Sequence, residues 1–299
     1  MKKILYITNE SDLNRFKDKN RLYRYEAIQK NKNFKCLSAN NISKSENPDD
    51  YKAVCLSHEC SPGHGRYGGS KEFENFISKF DKRVVILEDL QKISRKTDLL
   101  NSTYTDIILT VEGDIAEEMK SKMSCDFHSL THHINTDLIK DYQHTKKYDV
   151  LSYGALNHVY PFRSRLTKLL KKSDLKFKRV GGRDGYWGSE LGKLINESWL
   201  TITTSSTYNY LVCKYFEASG GGSVILGNMD DIGKTIWNED EYIKVESDMS
   251  DDEIISIVKK ALDDKDKLMD ISKKVGKRIR KEYSTKQYAI KLSKIIRKL

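Results

Sequence analysis

The sequence predicts an α/β protein made of two doubly wound, Rossmann-like domains in tandem. Its 299 residues exceed what one ordinary α/β domain needs and suit two. Short apolar and β-branched runs alternate with longer polar stretches of helical character. The alternation stops near residue 135 and starts again at Tyr148, as it would where a second domain begins.

The first half of the chain carries the strands and helices of one sheet. Its strand candidates are continuous apolar runs, which is typical of parallel strands covered by helices on both faces. We predict strands at 3–8, 53–57, 83–87, 106–110 and 127–131, and helices at 23–29, 71–80 and 115–122.

The second half repeats this pattern after a polar segment, 135–147, that has no strand signal. A strand from Tyr148 ends at Gly154, and a loop and a Leu- and Lys-rich helix follow. This strand–glycine–helix order is how a doubly wound domain begins. We predict a helix at 163–172, strands at 177–180, 200–204, 223–226 and 242–245, and two closing helices at 251–262 and 285–299.

These patterns predict an N-terminal domain over 1–140, a C-terminal domain over 141–284 and a final helix over 285–299. Ligands of such sheets bind beyond the carboxyl ends of the strands, so we expect a deep cleft between the domains. The final helix has an apolar stripe, and we expect it to cross back onto the N-terminal domain. A basic amphipathic helix lying on an anionic membrane is the alternative.

Composition limits the functional classes. The net charge of +10 fits either a lysine-rich surface or attraction to polyanions. Because no basic motif interleaved with aromatic residues is present, we expect no specific nucleic-acid partner. No apolar run approaches the about 18 residues that span a bilayer, and the first one is too short for a signal peptide. The five cysteines form no metal or disulfide pattern, so we expect a cytoplasmic protein.

The most informative segment is 213–226, which reads CKYFEASGGGSVIL. A helix carrying Phe216 and Glu217 should break at glycines and lead into a buried strand. The segment resembles the pattern F-E-A-x-A-x-G-x-x-[VI]-[IL] of GT-B glycosyltransferases of the group 1, family 4 kind, and most closely their spore-maturation-protein-like (CgeB-like) branch. The resemblance covers roughly residues 130–299 and extends to the first half only through the fold pattern.

The resemblance implies that Glu217 accepts hydrogen bonds from the ribose hydroxyls of a nucleotide-sugar donor. A solvated glutamate near a helix end is the alternative. Many family 4 members have a second glutamate eight positions earlier, where this chain has Asn209, which can hydrogen-bond but carries no charge. We expect Tyr208 and Asn209 to open the helix and to cradle the donor diphosphate or sugar, with simple N-capping as the alternative.

Two further loops of the C-terminal half are donor-site candidates. Gly154 ends the first strand, and Arg163 and Arg165 follow at the start of the next helix. GT-B enzymes generally compensate phosphate charge with basic side chains and helix dipoles, so we expect one of these arginines to bind the diphosphate. In the glycine-rich loop 180–188, Arg183 could reach the donor, and an aromatic side chain could stack on its base. The aromatic candidates there are Tyr186 and Trp187.

The N-terminal half offers weaker candidates. His58 follows a predicted strand and is our candidate catalytic base or acceptor ligand, although a histidine in a loop is often simple polar surface. Arg66 in the same loop, and His132 and His133 near the hinge, could also face the cleft.

The sequence thus predicts a metal-independent glycosyltransferase. The donor is a nucleotide sugar, which is a substrate and not a cofactor; no cofactor is expected. The acceptor would be a glycan, a protein or a lipid-linked molecule, and peripheral contact with an anionic membrane is possible. The alternatives are a non-catalytic GT-B-like binding or scaffold protein and a basic nucleic-acid-associated protein.

Overall fold

The structure is a computed structural model that describes residues 2–9, 20–39, 42, 46–60, 71–88, 105–111, 113–181 and 184–298. The chain forms two compact units. The first comprises Met1–Thr131 with Thr285–Leu299, and the second comprises His132–Ser284.

Strands and helices alternate in both units. The strands are β1 (Lys3–Thr8), β2 (Phe34–Ser38), β3 (Tyr51–Leu56), β4 (Arg83–Leu87), β5 (Ile107–Thr110), β6 (Asp126–Ser129), β7 (Tyr148–Tyr153), β8 (Phe177–Val180), β9 (Ser198–Ile202), β10 (Val224–Gly227) and β11 (Ile243–Lys244). The described helices are α1 (Asn20–Gln29), α2 (Lys71–Ile77), α3 (Asp114–Lys120), α4 (Pro161–Lys171), α5 (Gly188–Asn196), α6 (Lys214–Gly220), α7 (Asp231–Ile236), α8 (Asp251–Asp263), α9 (Lys265–Glu282) and α10 (Thr285–Lys298).

The first unit is built on a parallel sheet of six strands in the order β2-β1-β3-β4-β5-β6. The central strands are continuous apolar runs that are buried on both faces, which confirms the parallel sheet expected from the sequence. The strand β2 was not predicted. It lies at the edge of the sheet, where Lys35 is exposed and interrupts the apolar run.

Helices cover the two faces of this sheet. Phe73 and Phe76 of α2 and Met119 of α3 belong to the core of one face. On the other face, α1 packs beside α10, the last helix of the chain, whose Leu292 and Ile296 are fully buried. The apolar stripe of α10 therefore completes the core of the N-terminal sheet.

The second unit contains a parallel sheet of five strands in the order β11-β10-β9-β7-β8. The helices α4 and α8 share a core on one face through Leu166, Leu170 and Val258. Two closing helices were expected, but three are present. In α9 only a few apolar side chains are buried among many lysines, so its helical period is weak in the sequence.

No helix of the described residues is long and apolar enough to cross a membrane.

Candidate functional site

Three loops meet at the carboxyl edge of the second sheet. They follow β7, β9 and β10, which are adjacent strands. The Thr207 N–H donates to the Val159 carbonyl at 2.9 Å, and the Ser205 N–H donates to Asn228 Oδ1 at 3.3 Å. These bonds join the three loops at the position where doubly wound domains bind ligands.

Glu217 lies in α6 and reaches the end of β7. Its Oε2 accepts a hydrogen bond of 2.7 Å from the hydroxyl of Tyr153, the last residue of that strand. Tyr153 is buried, and burial raises the pKa of its hydroxyl well above the usual range. Tyr153 therefore remains a proton donor and holds one oxygen of the half-buried carboxylate.

Lys214, one helical turn before Glu217, lies across the end of the same strand. Its Nζ is 3.7 Å from the centre of the Tyr153 ring, a cation–π contact. Burial lowers its pKa to about 8, although Glu217 opposes the shift. Gly154 makes this position possible: its φ is +82°, and a Cβ there would lie 2.3 Å from the Lys214 Nζ.

Arg163 is buried in α4 behind these loops, with 1% of its surface exposed. Its guanidinium donates to the carbonyls of Ala155 at 3.4 Å and Thr204 at 3.2 Å and lies 3.9 Å from the centre of the Tyr160 ring. Its Nε and the Thr204 Oγ1 have no hydrogen-bond partner in the described part of the chain. Burial lowers its pKa. No carboxylate of the described residues forms a salt bridge with it, although buried charges normally acquire such a partner.

Arg179 adds a third positive charge at this edge. It extends from β8, and its guanidinium donates to the carbonyls of Gly154 at 2.5 Å and Ser152 at 3.3 Å. The charges of Arg163 and Arg179 both contribute to lowering the pKa of Lys214. The end of β7 is therefore a region rich in positive charge, and the Glu217 carboxylate lies within it.

Arg165 is held elsewhere. Its guanidinium binds Asp251 Oδ1 at 2.7 Å and the carbonyls of Ser247 and Met249, so it fastens α4 to the start of α8. To bind a diphosphate, Arg165 would have to give up these contacts, and its role in the donor site stays a prediction.

The prediction that a helix begins at Tyr208 and Asn209 is wrong. The segment before Cys213 is a loop, and α6 begins only at Lys214. The Tyr208 N–H donates to Ser206 Oγ, the Asn209 N–H donates to the Ser206 carbonyl, and Asn209 has a φ of +48°. These local bonds form a turn that competes with helix formation. Both residues remain on the loop beside the site, with Asn209 exposed.

The glycines after Glu217 have a packing role. The predicted helix–glycine–strand order is confirmed by α6 and β10. A Cβ on Gly220 would lie 2.2 Å from Ile134 Cδ1, and one on Gly221 would lie 2.6 Å from Ile195 Cγ2. At both positions the absence of a Cβ lets α6 pack closely on neighbouring side chains.

Two exposed apolar side chains border the positive region. Leu156 follows β7 and Trp187 follows β8, and their exposures are 39% and 41%. The Lys178 Nζ lies 5.7 Å from the centre of the nearby Tyr186 ring. Trp187 is thus available as a flat stacking surface, whereas Arg183 and Arg66 lie outside the described residues.

His58 lies at the carboxyl edge of the first sheet and is buried. Its Nδ1 accepts a hydrogen bond of 3.1 Å from the Glu88 N–H, and the Glu88 carboxylate pairs with Arg24. Since a backbone N–H can only donate, the neutral ring keeps its proton on Nε2. In this arrangement His58 is a hydrogen-bond donor, and the expected role as a base would require this bond to break.

The two histidines near the hinge begin the second unit. His133 is buried, and its carbonyl accepts from Cys213 Sγ at 3.6 Å. The His132 ring packs edge-on to Phe216 at 6.5 Å. Both therefore support the start of α6.

Sequence reasoning missed Tyr153, Lys214 and Arg179. A usable signal existed for Lys214, because residues i and i+3 of a helix share a face and Glu217 was already a candidate. Tyr153 and Arg179 act through contacts between neighbouring strands, which no local pattern shows.

Among the described residues, no three His, Cys, Asp or Glu side chains are grouped as a metal site would require.

Sequence comparison finds no relatives: no protein-family model matches the chain, and no curated protein is significantly similar to it. Solved structures do match its fold. Sucrose-phosphate synthase from Thermosynechococcus elongatus aligns with a TM-score of 0.64 at 10% identity, covering 100% of this chain and 99% of the other.

Two more structures match along nearly their whole length. Anabaena HepE in complex with UDP-glucose has a TM-score of 0.62 at 9% identity, with 100% of each chain covered. A glycosyltransferase from Rickettsia africae has a TM-score of 0.58 at 10% identity, with 99% of this chain and 98% of the other covered. The chain therefore has the GT-B fold of two parallel-sheet, Rossmann-like α/β domains.

Proposed function

We propose that this protein is a glycosyltransferase that moves a sugar from a nucleotide-sugar donor to an acceptor. The fold it shares with HepE, which was solved with UDP-glucose, supports this class of donor. The sequence segment around Glu217 adds support, and we propose membership of the CgeB-like branch on the same residues.

The observation that carries the proposal is the buried Arg163, a cation that pairs with no carboxylate of the described residues and lies beside Lys214 and Arg179. A bound diphosphate would provide the missing negative charge. We assign the diphosphate to these three cations and one ribose hydroxyl to the Glu217 carboxylate, which the Tyr153 hydroxyl holds at the end of β7. Trp187 is the candidate platform for the base.

This arrangement would promote sugar transfer by stabilising the nucleoside diphosphate that leaves. When the bond between the sugar and the diphosphate breaks, negative charge develops on the departing phosphate oxygen. Cations already fixed at that position stabilise the charge without reorganising. We therefore propose that transfer requires no divalent metal and no cofactor, because side chains supply the compensating charge.

We propose that the acceptor is a glycan, a protein or a lipid-linked molecule, and that it uses the carboxyl edge of the first sheet. There the buried His58 accepts a hydrogen bond from the Glu88 N–H, and the Glu88 carboxylate pairs with Arg24. The five cysteines are all free thiols, which fits the reducing cytoplasm that we propose as its location.

A non-catalytic nucleotide-binding protein of the same fold is the second candidate. It is favoured by Asn209, which provides no charge where many family 4 enzymes have a glutamate. This candidate predicts nucleotide binding without breakdown of any donor.

The direct test of the donor site is calorimetric titration of the wild-type protein and Glu217→Ala with UDP, ADP and GDP in the presence of EDTA. We expect the wild-type protein to bind at least one of them and the variant to bind it at least about tenfold more weakly, since a charged hydrogen bond contributes about 1.5–3 kcal/mol. Lys259→Ala, an exposed change in α8, is the control and should bind normally. Absence of binding, or binding only with added magnesium or manganese, would contradict the proposed site.

A further inference from the structure

The amino edge of the first sheet carries a dense group of lysines at the ends of β2, β1 and β3. We call this surface the basic edge. Its members are exposed and come from four separate segments of the chain. They are Lys2, Lys3, Lys30, Lys32, Lys52, Lys294 and Lys298.

Hydrogen bonds hold these four segments together. The Arg297 guanidinium in α10 donates to Asn33 Oδ1 at 3.0 Å and to the Lys2 carbonyl at 3.4 Å. The Lys52 Nζ donates to the Arg297 carbonyl at 3.2 Å, and Asn33 Nδ2 donates to Ser293 Oγ at 2.8 Å. The end of α10 is thereby fixed against the starts of β1, β2 and β3, so the lysines belong to one rigid surface.

The basic edge is the half of the amino edge formed by β2, β1 and β3, and positive charge is concentrated there. The helix α10 contains no Asp or Glu. Acidic side chains in the adjoining segments include Glu26, Glu46, Asp49 and Asp50, and Glu46 pairs with Lys35 of β2. The other half of the same edge, at β4 to β6, carries charges of both signs. There Asp106 pairs with Arg83. Two more acidic residues, Asp81 and Asp126, lie nearby in the chain. A surface that is lysine-rich throughout would not by itself separate positive charge onto one half of a sheet edge.

The apolar face of α10 is already used. Tyr288, Leu292 and Ile296 are buried in the core under the sheet. The helix therefore has no apolar stripe to insert into a bilayer, and any binding by the basic edge must be electrostatic.

We propose that the basic edge binds the surface of a bilayer that contains anionic lipids. Nearly all of its charges are lysines, which are mobile point charges without the fixed fork that arginine offers to a single phosphate. Such charges suit a surface of laterally mobile head groups. They suit nucleic-acid recognition less well, since no exposed aromatic or arginine side chain of the described residues accompanies them.

The test is co-sedimentation of the full chain with vesicles of phosphatidylcholine alone and of equal parts phosphatidylcholine and phosphatidylglycerol. We expect binding only to the anionic vesicles at low salt, and its loss in about 1 M salt, where the Debye length is about 3 Å. The double variant Lys294→Glu/Lys298→Glu should bind at least about tenfold more weakly, because each lysine near a charged surface contributes roughly fivefold.

The matched control is Lys71→Glu/Lys286→Glu, which makes the same charge change at exposed positions of the same unit, in the first turns of α2 and α10. It should bind within about twofold of the wild-type protein. Equal losses in both variants would show that only total charge matters and would overturn the proposal, as would tighter binding to duplex DNA than to the vesicles. If the first variant melts early, Lys2→Glu/Lys32→Glu serves in its place. A lack of nucleotide binding would leave this proposal intact, because it does not depend on the donor site.

Discussion

The Tyr153 hydroxyl donates a 2.7 Å hydrogen bond to Glu217 Oε2 and thereby fixes the carboxylate at the end of β7. This bond orients the carboxylate that we assign to the ribose, which gives Tyr153 a positioning role.

Tyr153→Phe should weaken UDP binding about fivefold, or ~1 kcal/mol, while the ring keeps its packing. Freed from the hydroxyl, Glu217 would lose its fixed orientation towards the ribose. Calorimetry with UDP and with its 2′,3′-dideoxy analogue separates this effect from general damage. Affinity for the analogue should be the same in the wild-type protein and the variant, and an equal loss for both ligands would mean that Tyr153 supports only the fold.

Arg163→Met should affect the free protein little and ligand binding strongly. The buried guanidinium pairs with no carboxylate of the described residues, so an apolar side chain of similar size removes the cost of burying a charge, which offsets the loss of its two hydrogen bonds to carbonyls. We expect the melting temperature of the free variant to equal or exceed that of the wild-type protein, while the increase produced by saturating UDP disappears. A large loss of stability with retained UDP stabilisation would assign Arg163 to the scaffold.

UDP affinity should fall as the pH rises through about 8. Burial depresses the pKa of Lys214 to about 8, so its ammonium is present below that pH and is lost above it. A bound phosphate favours the charged form, and the phosphates of UDP are already ionised above about pH 7. Titrations across this range should show the decline in the wild-type protein and a flat profile in Lys214→Met.

Lys146 provides the control for this pH profile. Its pKa is also lowered to about 8 by burial, but its Nζ donates to the carbonyls of Ser198 and Gly222 at the amino edge of the sheet. Lys146→Met should keep the wild-type pH dependence. If it also flattens the profile, the decline does not report Lys214.

Leu292→Ala should destabilise the protein by about 2–5 kcal/mol, because Leu292 of α10 is fully buried beneath the first sheet. Lys294→Ala on the exposed face of the same helix should change stability by no more than about 0.5 kcal/mol. Urea unfolding midpoints test both variants. Equal stability of the two would mean that α10 contributes little to this core.

The sequence predicted the parallel sheets because their central strands are continuous apolar runs such as Ile4–Ile7. It also predicted the order of α6, glycines and β10, since Phe216, Glu217 and the glycines mark a helix and its end. The edge strand β2 escaped prediction because Lys35 interrupts its short apolar run, and the helical period of α9 is weak because lysines dilute its apolar stripe.

The site was less predictable than the fold. Arg163 and Arg165 look alike in the sequence, and only tertiary contacts with Thr204 and Asp251 distinguish a buried cation from a paired one. Lys214 and Arg179 join the site because β7, β8 and α6 meet in space. Such groupings depend on strand order, which a sequence pattern does not record.

The most direct test of the central claim is the release of nucleoside diphosphate from a panel of nucleotide sugars, measured for the wild-type protein and Glu217→Gln. The glutamine keeps the shape of the side chain but removes the charge that accepts the ribose hydroxyl. We predict slow release from at least one donor by the wild-type protein, faster release when the true acceptor is added, and a loss of at least about tenfold in the variant. Equal release by both proteins, or no release from any donor by a protein that binds the nucleotide, would contradict the account.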